Sequence, residues 1–282
     1  MSPAASEAVG EHQVYEVHFA RGREIRYISH LDMMRLWERM LRRAGLPVAY
    51  SGGFNPRPKL AFAAPLPVGV LATDEVAEFT LEAAVPRPSG RDAPSTEVGA
   101  LGPSAARPPV WTGVGAHSSA PASAQADARR PQTPIGADLG RGSSSTDAGE
   151  VLERLLLQAP RGLSVISVEI VPSDRPALQA RLREAHYAVR LWDGGAADLN
   201  ERVQALLASE HLPITVEREG KVIERDLRPL ILDASVEEGP LLRLRLRQDP
   251  QATGRPVEVL QALGLGPLAA EITRTALVLV SA

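Results

Sequence analysis

The chain opens, after a polar amino-terminal segment, with an alternating pattern that changes to a helical one. Residues 14–20, VYEVHFA, alternate apolar and polar side chains with the period of a β-strand. Residues 28–45, ISHLDMMRLWERMLRRAG, have the period of an amphipathic helix. This pattern places one apolar face of the helix in the core, formed by Met33, Trp37, Met40 and Ala44. Capping-box spacing and a glycine–proline stop delimit the helix, at Ser29 and Asp32 and at Gly45 and Pro47.

The segments that follow complete the pattern of one folded unit. Residues 60–69 and 74–82 have the composition of extended segments, residues 150–159 have a helical period, and residues 163–171 again alternate. The order is therefore β-α-β-β-α-β, which is that of the ferredoxin-like fold.

The carboxyl-terminal part predicts a second α+β unit. Strand patterns occur at 185–192, 241–247 and 272–280, and helical patterns at 198–209 and 255–264. Between them, 214–219 and 221–231 predict a hairpin that turns at 219–220. The fold class predicted from these patterns is α+β, with two ferredoxin-like units.

A long segment of different composition interrupts the first unit. Residues 83–148 consist mostly of Ala, Ser, Pro, Gly and Thr and have no sustained period. Such a composition buries too little apolar surface to offset the entropy of ordering, so we expect a disordered insertion. The predicted organisation is a first unit at 14–82 plus 149–172, the insertion at 83–148, and a second unit at 173–282.

Composition excludes several classes of function. The 282 residues have a formal net charge of −3 and contain no cysteine. A nucleic-acid surface must therefore be a local basic patch, and thiolate zinc sites, cysteine nucleophiles and cysteine-held iron–sulfur clusters are excluded. The sequence predicts no metal site. We find no signal-peptide stretch and no apolar run of membrane-spanning length, so we expect a cytoplasmic protein that is not bound to a membrane.

The positive charge is concentrated in the first unit. Between residues 14 and 70 there are nine Lys or Arg residues and four acidic ones, a local net charge of +5. On the predicted helix, Arg35, Arg39 and Arg42 recur at helical spacing and form a stripe. The stripe is either a binding surface or simply a solvated helix face.

The stretch SGGFNPRPK, residues 51–59, combines a flexible turn with a stiff exit and two cations. Glycines allow close backbone approach, and arginine binds phosphate bidentately, which favours an anion site formed by Gly52, Gly53, Asn55, Arg57 and Lys59. Phe54 would then stack on an unpaired base. The alternative is a rigid hairpin connection in which Phe54 fills the core and Asn55 caps a turn.

Three further places carry candidate chemistry. His30 lies in the first turn of the helix, where the helix dipole disfavours its protonated form. It is either a candidate general base or a polar residue with no functional role. In the predicted strand KVIERDLRP, Asp226 either pairs with an arginine or belongs to an anion-binding face. The cations that would form such a face are Lys221, Arg225 and Arg228, and Arg274 of the last strand would join either arrangement.

These motifs resemble a known bacterial family. YISHLDMMRLWERMLRRAGLPVAYSGGFNPRPKLAFAAPLPVG, with KVIERDLRPLI further on, is similar to the radical-SAM-linked proteins, a domain of unknown function encoded beside or fused to a B12-binding-type radical SAM protein. The resemblance covers roughly 14–82 and 150–278. The sequence differs from the family at the long insertion, where a family member typically has a short connection. It implies a radical SAM protein as partner. S-adenosylmethionine and the iron–sulfur cluster would then belong to that partner, because this chain has no cysteine.

Three hypotheses of function follow. The first is a non-catalytic accessory protein that binds a substrate, possibly tRNA or rRNA, for a radical SAM enzyme. The second is a protein–protein adaptor that binds no nucleic acid. The third is a metal-independent ribonuclease with His30 as its base.

Overall fold

The computed structural model describes residues 12–82, 147–192, 198–218, 220–237, 241–266 and 270–280. The side chains of residues 217, 218 and 221 are not among those described. The predicted insertion lies outside the described residues except for its last two positions.

The amino-terminal half follows the predicted β-α-β-β-α-β order. Its elements are β1 (His12–Arg21), α1 (His30–Arg43), β2 (Leu60–Phe62), β3 (Leu71–Glu82), α2 (Ala148–Gln158) and β4 (Leu163–Val171). β1 pairs antiparallel with both β3 and β4, and the short β2 pairs with residues 77–79 of β3. The strand order in this half is therefore β4-β1-β3-β2.

The ends of α1 are set by the residues that the sequence indicates. Ser29 is the N-cap: its Oγ accepts a hydrogen bond from the Asp32 backbone at 3.1 Å. At the other end, Gly45 has φ +66° and Leu46 N–H donates to the Leu41 carbonyl at 3.2 Å. This is the left-handed glycine termination expected from the sequence.

The carboxyl-terminal half also combines strands and helices. Its elements are α3 (Leu178–Arg181), β5 (Leu182–Leu191), α4 (Leu199–Ala208), β6 (Pro213–Arg218), β7 (Lys221–Asp226), β8 (Ile231–Glu237), β9 (Leu241–Arg247), α5 (Pro256–Ala262) and β10 (Ala270–Leu279). The main strands are ordered β10-β5-β9-β8, while β6 and β7 form a separate two-stranded hairpin.

One predicted strand is in fact two. Residues 221–231 were predicted to be a single strand of the hairpin, but β7 ends at Asp226, a 3-10 helix covers Arg228–Leu230, and β8 then joins the main sheet. The reason is local, because Pro229 has no N–H to donate and the Asp226 carboxylate accepts the Arg228 N–H at 3.0 Å, which turns the chain.

A parallel contact joins the two halves into one eight-stranded sheet. Thr273 and Arg274 of β10 pair with Leu71 and Ala72 of β3. Separate apolar cores lie under the helices of each half, one around Trp37 and one larger one in the second half. The structure confirms the α+β class.

Candidate functional site

The loop between α1 and β2 is a closed turn with an exposed tip. Ser51 N–H donates to the Arg57 carbonyl at 2.8 Å, and Arg57 N–H donates to Ser51 Oγ at 3.0 Å. The backbone of Thr80 in β3 bonds to the segments on both sides of the turn. Its carbonyl accepts from Ala49 N–H at 2.9 Å, and its N–H donates to the Lys59 carbonyl at 3.0 Å. Residues 51–57, which we call the tip, are all exposed. The loop is therefore a hairpin-type connection with a fixed base.

Phe54 does not fill the core. Its side chain is fully exposed, so the alternative that placed it in the interior is wrong. The adjacent core contains Phe62 instead, which packs edge-on against Trp37 at 6.3 Å between ring centroids. Gly53 has φ +112°, a conformation that suits glycine, and this turns the chain so that Phe54 points into solvent. Arg57 and Lys59 are exposed as well.

The arginine stripe of α1 also faces solvent. Arg35, Arg39 and Arg42 are exposed, while the opposite face of the helix is buried in the core. Arg35 pairs with Asp32 at 3.3 Å, and an exposed pair of this kind contributes little stability. The tip follows this helix and is anchored at the end of β3. The structure thus presents the stripe and the tip as two exposed basic features of consecutive segments.

Two of the cations proposed in the second half have structural roles. Arg228 donates to the Leu207 carbonyl at 3.0 and 3.2 Å and to the Ile231 carbonyl at 2.9 Å. Arg225 donates to the Thr253 carbonyl at 2.8 Å and lies 3.3 Å from a Glu258 oxygen. Lys221 is the first residue of β7, and its side chain is outside the described part.

Asp226 does not pair with an arginine side chain. Its carboxylate accepts hydrogen bonds from the His211 ring at 2.9 Å, from Leu212 N–H at 2.8 Å and from Arg228 N–H at 3.0 Å. These bonds, the His211 bond first, lower the pKa of Asp226 to about 2. The carboxylate thus fixes the turn between β7 and β8 and is not part of an anion-binding face.

Arg274 is almost completely buried, with 1% of its surface exposed. Its Nε donates to Glu75 at 2.6 Å, its Nη2 contacts the other Glu75 oxygen, and it also donates to the Ala64 and Pro65 carbonyls at 3.1 and 3.4 Å. Of the two arrangements considered for Arg274, the structural ion pair is the one observed, although with a partner in the other half.

A cleft opens beside the contact between β3 and β10. Its volume is about 1310 Å³, and both halves of the sheet contribute to its lining. The amino-terminal half contributes Arg26, Tyr27, His30 and the loop 65–70. The carboxyl-terminal half contributes Gln248, residues 250–257 and the start of β10. We call this the junction cleft. Two predicted anion-binding residues with described side chains, Arg225 and Arg274, border the cleft. Arg225 is partly exposed, whereas Arg274 is buried.

His30 lies at the rim of the junction cleft. Its ring packs edge-on against Phe62, with 5.6 Å between ring centroids. Partial burial lowers the pKa of His30 below its ordinary value of 6.5, so the neutral form predominates at pH 7. Neutral imidazole is the form that the sequence analysis expected from the helix dipole; here desolvation is the cause.

The sequence analysis missed most of the residues that line the cleft. The most exposed rings are those of Tyr27 and Trp192, and the exposed cation is Arg255. The signal present was weak, because PLPVG at 65–69 and DPQATGRP at 249–256 are ordinary loop compositions. Nothing in the local pattern indicates that these two loops meet.

The fold and these surfaces define an α+β protein with an exposed basic loop and a cleft between two similar halves. The sequence matches the family described as "Uncharacterized protein conserved in bacteria (DUF2344)" over residues 15–94 and 141–256, and the chain belongs to this family. A search of curated proteins finds no match. In the described ranges, no helix has the length and apolarity to cross a membrane, and no three His, Asp or Glu side chains converge as metal ligands would.

Proposed function

We propose that the chain is a non-catalytic accessory protein that binds RNA through the tip and the arginine stripe. The observation that carries the proposal is the full exposure of Phe54 on a loop with a hydrogen-bonded base. A large apolar ring in water costs free energy unless a partner covers it, and a fixed base reduces the entropy lost on binding. Every nucleobase has a face on which such a ring stacks.

The charges around Phe54 support a polyanionic partner. Arg57 and Lys59 follow the ring in the sequence, and Arg39 and Arg42 on α1 make no ion pair with any described residue. Arginine forms paired hydrogen bonds with phosphate oxygens. An aromatic side chain next to cationic ones on an exposed segment is typical of surfaces that bind single-stranded nucleic acid.

The sequence resemblance supports a class of partner. Radical-SAM-linked proteins are encoded with a radical SAM protein, and a chain without cysteine cannot hold that enzyme's cluster. In this proposal the partner supplies the iron–sulfur cluster and S-adenosylmethionine, and this chain presents the RNA, for which tRNA and rRNA are the candidates.

We also infer that both halves are ferredoxin-like. The strand orders β4-β1-β3-β2 and β10-β5-β9-β8 are the same permutation of their β-α-β-β-α-β elements, once the β6–β7 hairpin is set aside. Many RNA-binding modules use such sheets, although fold alone does not fix function.

A second candidate function rests on His30. A neutral imidazole at the rim of a cleft is suited to act as a general base, which would make the chain a metal-independent ribonuclease. The test is cleavage of labelled RNA by wild type and His30→Ala. Cleavage by the purified wild type that is lost in His30→Ala supports this function, and cleavage that is equal in both rules it out.

The test of RNA binding is fluorescence anisotropy with a labelled oligouridine 12-mer and with total bacterial tRNA. We compare wild type, Phe54→Ala and, as the matched control, Leu157→Ala, which removes an equally apolar side chain that is 82% exposed on α2. We expect Phe54→Ala to weaken binding by about 1–3 kcal/mol, the value of one stacked base. Leu157→Ala should bind as wild type does.

Two outcomes would overturn the proposal. One is the absence of binding to either RNA at low salt. The other is equal affinity of wild type and Phe54→Ala, which would mean that the ring does not contact RNA. A chain that binds no RNA and forms a stable complex with a radical SAM protein would be the adaptor of the second hypothesis.

A further inference from the structure

The walls of the junction cleft are held in place by a buried arginine. Arg21 has 1% of its surface exposed and donates to four backbone carbonyls of described residues: to Ile25 at 3.2 Å, to Ile28 at 2.9 Å, to Leu66 at 3.4 Å, and to Arg26. These bonds join the segment that precedes α1 to the loop 65–70. The amino-terminal wall is therefore fixed before any ligand arrives, which lowers the entropic cost of binding.

The opposite wall is fixed in a similar way. The Asp249 carboxylate accepts the N–H groups of Gln251 and Ala252, both at 2.8 Å, and Gly254 N–H donates to the Arg247 carbonyl at 2.8 Å. Arg225 secures the same loop through the Thr253 carbonyl. Both walls are thus preorganised.

The lining has an excess of positive charge. Four arginines and one carboxylate line the cleft, and one of these arginines, Arg274, is neutralised below it by Glu75. Arg26 lies 3.7 Å from a Glu271 oxygen, and Arg225 is paired with Glu258. Arg255 makes no ion pair with a described residue, so one guanidinium is available to an anion.

Two exposed rings provide flat apolar surface in the same cleft. Tyr27 is 66% exposed and Trp192 is 54% exposed. The Arg26 guanidinium lies over the Tyr27 ring, 4.6 Å from its centroid, and donates to the Tyr27 hydroxyl at 2.6 Å. Arginine and aromatic faces in one cleft are suited to a ligand that is both planar and anionic.

Glu271 offers an acceptor for a hydrogen-bond donor on the ligand. One of its oxygens accepts from Arg23 at 2.9 Å. The other, Oε2, is buried and lies 2.9 Å from Arg23 Nη2 and 3.7 Å from Arg26 Nη1, but no described residue donates to it with hydrogen-bond geometry. Buried polar atoms normally have such a partner, and an amino group or a hydroxyl of a bound ligand would supply it.

We propose that the junction cleft binds a nucleotide, whose base stacks on Tyr27 or Trp192, whose phosphate is bound by Arg255, and whose amino or hydroxyl group donates to Glu271. A planar base, an anionic phosphate and hydrogen-bond donors occur together in this class of ligand. The cleft exceeds the roughly 300–1,000 Å³ of common small-molecule sites, so it accommodates a free nucleotide or one nucleotide of a longer strand. This inference does not depend on the RNA-binding role of the tip.

The experiment is isothermal titration calorimetry of the full chain with the four nucleoside 5′-monophosphates, with adenosine and with inorganic phosphate. The variants are Trp192→Ala and Arg255→Gln; the controls are Phe54→Ala and Arg161→Gln, an exposed ring and an exposed arginine outside the cleft. We expect at least one monophosphate to bind. Arg255→Gln should weaken it about tenfold or more, and Trp192→Ala about fivefold to hundredfold.

The two sources of a nucleotide are separated by a second arm with the oligouridine 12-mer. Monophosphate binding that depends on Trp192 and Arg255 identifies a site for free nucleotides. If binding of the 12-mer depends on both residues and the monophosphates do not bind, the cleft is a site for one nucleotide of an RNA strand. If neither probe depends on them, or if inorganic phosphate binds as tightly as every monophosphate, the inference is overturned.

The same variants separate this inference from the proposed function. Phe54→Ala should leave monophosphate binding unchanged, because the tip does not line the cleft. A chain that binds monophosphates through Trp192 and Arg255 but shows no effect of Phe54→Ala on RNA would retain the cleft site and lose the proposed role of the tip.

Discussion

Arg274 of β10 and Glu75 of β3 form a buried ion pair at the point where the two halves of the sheet meet. Arg274 Nε donates to Glu75 Oε1 at 2.6 Å, and both side chains are almost completely inaccessible to solvent. The pair lies beside the parallel contact of Ala72 with Arg274. Through the carbonyls of Ala64 and Pro65, Arg274 also fixes the start of the loop that lines the junction cleft.

The first prediction concerns this pair. Glu75→Gln keeps the shape of the side chain but leaves the buried guanidiniums of Arg274 and Arg21 without a counter-charge, so we expect the free energy of unfolding to fall by about 3–5 kcal/mol. Urea denaturation measures it. Glu153→Gln, the same substitution on the exposed face of α2, is the control and should have little effect. A loss below about 1 kcal/mol, as for exposed pairs, would contradict the prediction.

The second prediction concerns Gly162, at the turn before β4. Its φ is +85°, and an added Cβ would lie 2.9 Å from Glu24 Cβ and 3.2 Å from Ile25 Cγ1. Gly220 has φ +74° but open space around it. Gly220→Ala should therefore cost about 1–2 kcal/mol, from backbone conformation alone. Gly162→Ala should cost more, because the segment that precedes Arg26 must move; equal losses in urea denaturation would disprove the steric argument.

The third prediction is a pH dependence from Asp226. Its pKa in the folded chain is about 2, against an ordinary 3.8. A lowered folded-state pKa stabilises the fold above pH 3.8, and this contribution is lost as the pH falls from 3.8 through about 2. The melting temperature of Asp226→Asn should lie below that of wild type at pH 5, and the difference should narrow over this window. Asp233→Asn removes an exposed carboxylate of β8 and is the control. A difference in melting temperature between wild type and Asp226→Asn that stays constant over this pH range would refute the assignment of the pH dependence to Asp226.

Much of the local structure could be predicted from the sequence because it depends on neighbouring residues. The limits of α1 follow from Ser29 and Gly45. In β1, apolar and polar residues alternate because successive side chains point to the two opposite faces of the sheet, of which one is buried. The break between β7 and β8 was missed because residues 221–231 were interpreted as a single strand of the hairpin. The decisive elements there are Pro229 and the hydrogen bonds of Asp226, which the hydrophobic pattern does not contain.

The candidate site was only partly predictable for a different reason. The tip and the stripe are each one continuous segment, so their chemistry is visible in SGGFNPRPK and in the spacing of Arg35 and Arg39. The junction cleft is assembled from distant segments by the contact of β3 with β10. In the sequence, Arg255 and Tyr27 have no feature that distinguishes them from other loop residues, and only the fold places both at the cleft. Long-range pairing of this kind leaves no local signal.

The fourth prediction concerns the protonation of His30. Because burial disfavours the charged ring, its pKa should lie below 6.5. The measurement is an NMR titration of the ring Hε1 signals between about pH 5 and 8, the range in which histidines change charge. The signal that disappears in His30→Gln identifies the residue among the six histidines of the chain. A midpoint above 6.5 would show that the ring is solvated or faces a carboxylate.

The fifth prediction concerns the cations of the tip. If Arg57 contacts a phosphate, Arg57→Glu should weaken RNA binding and flatten the slope of log K against log salt concentration by about 0.7 for single strands. Arg161→Glu makes the same charge change at an exposed turn before β4 and is the matched control. Both variants lower the net charge equally, so an effect of overall charge would be the same in both. A flatter slope in Arg57→Glu alone assigns a phosphate contact to the tip, whereas equal slopes in the two variants would show that Arg57 contacts no phosphate.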